Sequence, residues 1–136
     1  MIYCIYCSYI ATIRNNMKGK ANMSIASDLI RGHTDTIILA RLMDADNYGY
    51  EINKSIQQRT SGNYELKEAT LYTAFRRLEQ AGCIVSYWGD EQTGARRRYY
   101  RITDTGRETY NKLIGEWKTA KEMIDNLIET DKKEGK

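Results

Sequence analysis

Three helical stretches, two strand-forming runs and one long helical stretch, in that order, predict a mainly α fold with a small β-hairpin. That order describes a winged helix-turn-helix followed by a long C-terminal dimerisation helix. Two further observations agree with it. Residues 94–101 hold four arginines and no acid, and a local basic cluster is how a nucleic-acid contact shows itself in a sequence. The last helical stretch carries an apolar seam at heptad spacing, which asks for a partner.

Taken in order, residues 1–22 are expected to be a leader, disordered or a mis-assigned start, because more ordinary sequence follows both Met17 and Met23. The DNA-binding domain is expected over 23–103, the dimerisation helix over 104–130, and a charged tail over 131–136. Residues 24–31 make a short amphipathic helix, which Gly32 and His33 break. Thr34 and Asp35 start the next helix, which runs to about Ala45 with Ile37, Ile38, Leu39, Leu42 and Met43 on a broad inner face. Asp46 and Asn47 are expected to close it as turn formers.

Gly49 then precedes a helix over about 50–60, with Tyr50, Ile52 and Ile56 expected inward, and Ser61, Gly62 and Asn63 form a loop. The spacing predicts the last of the three helices that follow the short first one, over 68–81, where Leu71, Phe75 and Leu78 recur at i, i+4 and i+7. Gly82 suits the left-handed residue that stops it. The period then changes. Residues 83–88 and 96–102 are aromatic and β-branched, as strands prefer, and the polar run GDEQTGA between them is long enough for a hairpin loop. An isolated hairpin is marginal, so it must pack on the helices. After Thr103 the pattern is helical to about residue 130.

A helix-turn-helix needs one helix that is apolar inside and able to enter a major groove outside. In helix 68–81 the outer positions are Thr70, Thr73, Arg76, Arg77 and Gln80; Tyr72 flanks the stripe, and Lys67 lies just ahead. Arginine pairs bidentately with guanine and threonine meets a thymine methyl, whereas a tyrosine hydroxyl suits a phosphate. In the second strand, alternation puts Arg97 and Arg101 on one face and Arg98 on the other, beside Tyr100 if Ile102 points to the core. Arg96 and Arg97 then stand at the base of the loop, placed for phosphate or minor-groove contacts. A charged helix face or an arginine run by itself suits plain solvation equally well; the three helices ahead of the wing favour DNA.

The stretch EATLYTAFRRLEQAGCIVSYWGDEQTGARRRYYRITDTG resembles the PadR family of transcriptional repressors. It carries the TLY…RLE…G helix, the GxRRRYY wing and a close match, ITDTG, to the LT-x-x-G entry to the last helix; NYGYEI, residues 47–52, resembles the start of the family's second helix. The resemblance covers Met23 to the late 120s and is greatest to the short, multidrug-binding LmrR type. It implies a homodimer on a palindromic operator in double-stranded DNA, repression, and release by small molecules.

Tyr110, Leu113, Trp117, Ala120, Ile124 and Leu127 alternate spacings of three and four, and Ile114 and Ile128 widen the seam. A small winged domain cannot cover so long a stripe, so two-fold pairing with a second copy is expected, joined by Leu29 and Ile30 of the first helix. Trp117 falls mid-seam, where it either fills the interface or flanks a slot for a planar aromatic molecule. It matches the position at which LmrR-type relatives sandwich ligands. The candidate ligand residues are Trp117, Ile114, Lys121, Leu29, Asp35 and Thr36. Lys121 departs from the carboxylate that ligand-binding relatives carry one turn on, which favours neutral or anionic aromatics over cationic drugs.

Other classes are poorly supported. Three cysteines form no disulfide framework, and the Cys4–Cys7 pair lacks the second pair that a zinc site needs; Cys83 suits a small core residue. With one histidine, His33, and no phosphate-cradling loop, the chain offers no catalytic set, and neither an enzyme nor a cofactor is expected. No run approaches the ~20 apolar residues of a membrane helix, so a cytoplasmic protein without membrane contact is expected. The rival to a DNA binder is a winged-helix module that binds protein instead.

Overall fold

The computed structural model describes residues 25–89 and 96–131. The expected leader with its Cys4–Cys7 pair, most of the hairpin loop, and residues 132–136 of the tail lie outside the described residues. The elements are α1 (Ile25–Arg31), α2 (Thr34–Asp44), β1 (Asn47–Tyr48), α3 (Gly49–Arg59), α4 (Glu68–Gln80), β2 (Ile84–Trp88), β3 (Arg98–Ile102) and α5 (Asp104–Ile128).

The expected two-stranded hairpin is the larger part of a three-stranded antiparallel sheet in the order β1-β3-β2. Ile84 stands opposite Ile102 and Trp88 opposite Arg98, while Asn47 and Tyr48 face Tyr100 and Tyr99. Asn47, expected to be a turn former, is therefore a strand residue. Two residues are too few to show a period; the free edge of β3 supplies the partner that makes them a strand.

Helix α3 begins at Gly49 itself rather than after it. Gly49 is buried because a Cβ there would stand 3.3 Å from a Leu71 methyl and 3.5 Å from the Phe75 ring. Gly49, Ile52 and Ile56 thus form the inner stripe. Tyr50, expected inward, lies about a third of a turn beyond that stripe and is 70% exposed.

The core joins Ile38, Leu39 and Leu42 of α2, Ile52 and Ile56 of α3, and Leu71, Ala74, Phe75 and Leu78 of α4 to Cys83, Ile84, Tyr100 and Ile102. Ile37 and Met43 pack at its margin rather than in its centre. The Phe75 and Tyr100 rings stack at 3.9 Å, fixing the wing to α4. The α3–α4 connection is held by Asn53, whose amide donates to the Leu66 carbonyl at 2.8 Å and accepts from the Leu66 N–H at 2.9 Å. Helix α4 ends as its sequence predicts. Gly82 has φ 74°, its N–H donates to the Glu79 carbonyl, and the Cys83 N–H donates to the Leu78 carbonyl at 2.9 Å.

Helix α5 starts from a close junction. The Thr103 hydroxyl accepts from the Gly106 N–H at 3.0 Å and donates to the Gly82 carbonyl at 2.6 Å. Gly106 lies directly on the strand below: a Cβ there would sit 2.1 Å from the Cys83 carbonyl oxygen and 2.7 Å from Ile102 Cγ1. The glycine of ITDTG is thus required by close backbone approach rather than by an unusual φ. Beyond the first turns α5 leaves the domain. Tyr110 and Leu113 pack against their own core, and every residue from Lys118 to Asp131 is exposed.

Candidate nucleic-acid interface

Helices α3 and α4 and the β2–β3 wing meet around one cleft. The inner stripe of α4 presses on the core, which turns Tyr72, Thr73 and Arg76 outward; Thr70 is half-buried, and Lys67 is exposed at the N-cap in extended backbone. The Thr73 hydroxyl donates to the Ala69 carbonyl at 2.7 Å, which leaves its methyl as the group best suited to a thymine.

The arginines divide by what faces them. Arg77 does not join the open face of α4: its Nε donates to Asp35 Oδ2 at 3.1 Å and its Nη2 to Oδ1, tying α4 to the start of α2. That bond raises its already high pKa, so it is a permanent cation held by a carboxylate. Asp35, expected among the ligand residues, is correspondingly occupied by Arg77. Arg98 lies on the Tyr100 side of the sheet as alternation predicts, where it donates to Ser86 Oγ at 2.7 Å and faces Glu79 at 3.6 Å. Arg101 donates to Asp46 at 3.0 Å and covers the Tyr87 ring, while the Tyr87 hydroxyl donates to the same carboxylate at 2.7 Å. The Asp46 bond pushes both the Tyr87 and the Arg101 pKa up.

Arg97 points to the opposite face from Arg98. Its Nη1 donates to the Tyr48 hydroxyl at 2.9 Å, and its guanidinium carbon is 4.6 Å from the centre of that ring. Arg76 and Arg96 have no carboxylate partner among the described residues. The cleft, of about 420 Å³, is lined by Gly49 and Tyr50 at the start of α3, Tyr72 of α4, and Trp88 and Arg96 to Arg98 of the wing.

The seam residues also divide. Tyr110 and Leu113 are half-buried and pack against the core of their own domain. Ile114 and Trp117 are half-buried, as are Leu29 on α1 and Thr36 on α2, and Ala120, Lys121, Ile124 and Leu127 are exposed. Trp117 meets a residue not expected at the site: the His33 ring lies 4.7 Å away at an interplanar angle of 66°. Burial lowers the His33 pKa and favours the neutral imidazole at this contact. The available signal was a lone histidine at a helix break, which says nothing about its partner 84 positions on.

The family model of the PadR-like transcriptional regulators matches residues 38–112, which span the helix-turn-helix, the wing and the start of α5. The chain belongs to that family. An uncharacterised protein of Lysinibacillus sphaericus is 47% identical to this PadR-like regulator over 105 residues, covering 77% of the chain and 96% of the relative. A transcriptional regulator from Clostridium thermocellum is 48% identical with a TM-score of 0.70, covering 76% of this chain and 97% of its own. A PadR family transcription regulator from Clostridium difficile is 35% identical with a TM-score of 0.62, covering 71% and 99%.

In this PadR-like regulator, sequence reasoning missed Tyr48, Asp46 and Glu79 as partners of the wing arginines. NYGYEI did flag Tyr48 as part of a family segment, but only its pairing with β3 brings it to Arg97. Among the described residues no helix is long and apolar enough to cross a membrane, and no group of three or more His, Cys, Asp or Glu could hold a metal.

Proposed function

We propose that this regulator binds a palindromic operator as a homodimer, with α4 in the major groove and the wing on the flanking backbone or minor groove. The observation that carries the reading is the shared cleft: the start of α3, the outer face of α4 and the arginine-bearing wing open to one side of the domain. Arg76 offers the base-edge contact, with Thr70, Thr73 and Lys67 nearby; Arg96, Arg97 and the Tyr72 hydroxyl serve phosphates. Arg77 and Arg98 act chiefly within the protein, through Asp35 and Glu79.

Pairing through the outer half of α5 supports the dimer, since Ile124, Leu127 and Ile128 are apolar and uncovered by their own chain. A two-fold axis there would set two recognition helices roughly one helical turn apart. The finer reading is a repressor of the short, multidrug-binding type, working in the cytoplasm and released when a planar neutral or anionic aromatic stacks at Trp117. Half-burial of Trp117 beside His33, with Lys121 one turn on, supports that ligand class.

Two experiments test this. Affinity for a duplex from the region upstream of its own gene is expected to fall steeply with salt, by on the order of 10³ between 50 and 200 mM for about six phosphate contacts. Substituting Arg96 and Arg97 by alanine in both protomers is expected to lower the log–log slope by about 3.6 without unfolding the protein. An unchanged slope would remove the wing from the interface, and salt-independent or absent binding would favour a protein-binding module. For the ligand, a planar anionic dye is expected to quench Trp117 fluorescence and to release the duplex. Persistence of full emission at saturating dye would rule the pocket out.

A further inference from the structure

We infer that Tyr48 is a positioning residue for DNA, holding Arg97 so that the cleft beside it seats one phosphodiester of the duplex backbone. The inference rests on the DNA-binding reading above and assigns a role to a residue outside the recognition helix and the wing.

Four contacts fix the Tyr48 ring. Its backbone pairs with Tyr99 across β1 and β3; its ring meets the Tyr99 ring at 5.3 Å, edge to face. Its hydroxyl donates to Glu51 Oε1 at 3.3 Å and accepts from Arg97 Nη1 at 2.9 Å. The Arg97 guanidinium therefore has a ring beneath it and an oxygen at one corner, two restraints on its position. A guanidinium has five N–H donors in a rigid fork, so the bond to Tyr48 uses one and does not exclude a phosphate contact.

The surroundings suit a phosphodiester with its sugar. Tyr50 and Trp88 give the cleft apolar walls, and Arg96 adds a second cation. The Tyr72 hydroxyl stands 3.7 Å from the place a Gly49 Cβ would occupy, so it borders the first turn of α3. The Tyr48 hydroxyl stands between Glu51 and Arg97 and bonds both. An arginine that arrives already ordered loses less side-chain freedom on binding than one free in solvent. That gain belongs to Tyr48, although Tyr48 itself need never touch DNA.

A double-mutant cycle on the full chain tests this, read by anisotropy of a labelled random-sequence duplex, since a backbone contact is sequence-independent. Arg97→Ala is expected to weaken binding about tenfold. Tyr48→Leu, which removes both ring and hydroxyl, should weaken it nearly as much, and Tyr48→Phe, which keeps the ring, about threefold. In the Arg97→Ala background, Tyr48→Leu should cost less than about twofold more, because the residue it positions is gone. The salt slope should fall for Tyr48→Leu although no charge is lost. A merely structural tyrosine would give equal losses in both backgrounds and an unchanged slope, and either result overturns the role. Thermal melting of Tyr48→Phe keeps the cycle interpretable should Tyr48→Leu fail to fold. A wild-type chain without salt-dependent affinity for duplex defeats the DNA reading and this inference together; a wild-type chain that binds, with additive losses, defeats only this one.

Discussion

Gly106→Ala is expected to lower the melting temperature by on the order of 15 °C. The added Cβ would stand 2.1 Å from the Cys83 carbonyl oxygen, a backbone atom that no rotamer change can move. The same carbonyl accepts the Thr103 N–H at 3.0 Å. Relief therefore requires α5 to lift from the sheet, disturbing the Thr103 cap and the packing of Ile102 together. Overpacking in a core costs about 1–3 kcal/mol and more where backbone must shift; the better helix propensity of alanine returns only about 1 kcal/mol. Gly115→Ala on the same helix is the control. Nothing lies within 4 Å of a Cβ there, and glycine and alanine differ only in propensity, so a rise of a few degrees is expected. Circular dichroism melts of the two variants check the pair. A Gly106→Ala melt within two or so degrees of wild type would mean that α5 does not rest on Cys83 as described.

Ile124→Asp combined with Leu127→Asp is expected to convert a dimer to monomers and to abolish operator binding. Leu127 is 80% exposed and Ile124 43% exposed in the single chain, so neither supports the fold of its own domain. Burying each such side chain against a second copy is worth about 1.5–3 kcal/mol, and two-fold symmetry counts each position twice. Removing all four and leaving carboxylates in their place costs on the order of 6 kcal/mol or more. DNA affinity should fall by a further route, because a monomer loses the avidity of two linked half-site contacts, roughly 10²–10⁴-fold. Sedimentation velocity and duplex titration measure the two effects on one sample. Monomeric wild type at micromolar concentration would refute the pairing, and with it the two-helix geometry on DNA.

Gly106 and the α5 seam are both marked in the sequence itself. The glycine of ITDTG stood out by its place in a family motif, but its reason was not legible: Cys83 is 23 positions earlier, and only the docking of α5 on the sheet brings its carbonyl beneath Gly106. The seam of α5 was legible as a period. How it divides was not. Tyr110 and Leu113 satisfy the same spacing as Ile124 and Leu127, yet the first pair covers α2 of its own chain while the second projects beyond the domain. Tyr50 failed for a related reason: an aromatic next to a helix start satisfies hydrophobicity, but burial depends on the face presented to the core, and Gly49 rather than Tyr50 occupies that face.

The arginines show the division most sharply. Local order along the chain determined the helices, the two strands of the wing, the Gly82 stop and the existence of a basic cluster, because helix and strand periods, caps and turns are set by residues within a few positions of one another. Which arginine faces a carboxylate was decided by folding alone. Arg77 finds Asp35 across 42 positions and Arg101 finds Asp46 across 55. Neither distance leaves a mark in a local pattern. An ion pair needs two side chains within about 4 Å in space, and only the packing of α4 on α2, and of β3 beside the α2–β1 turn, meets that condition.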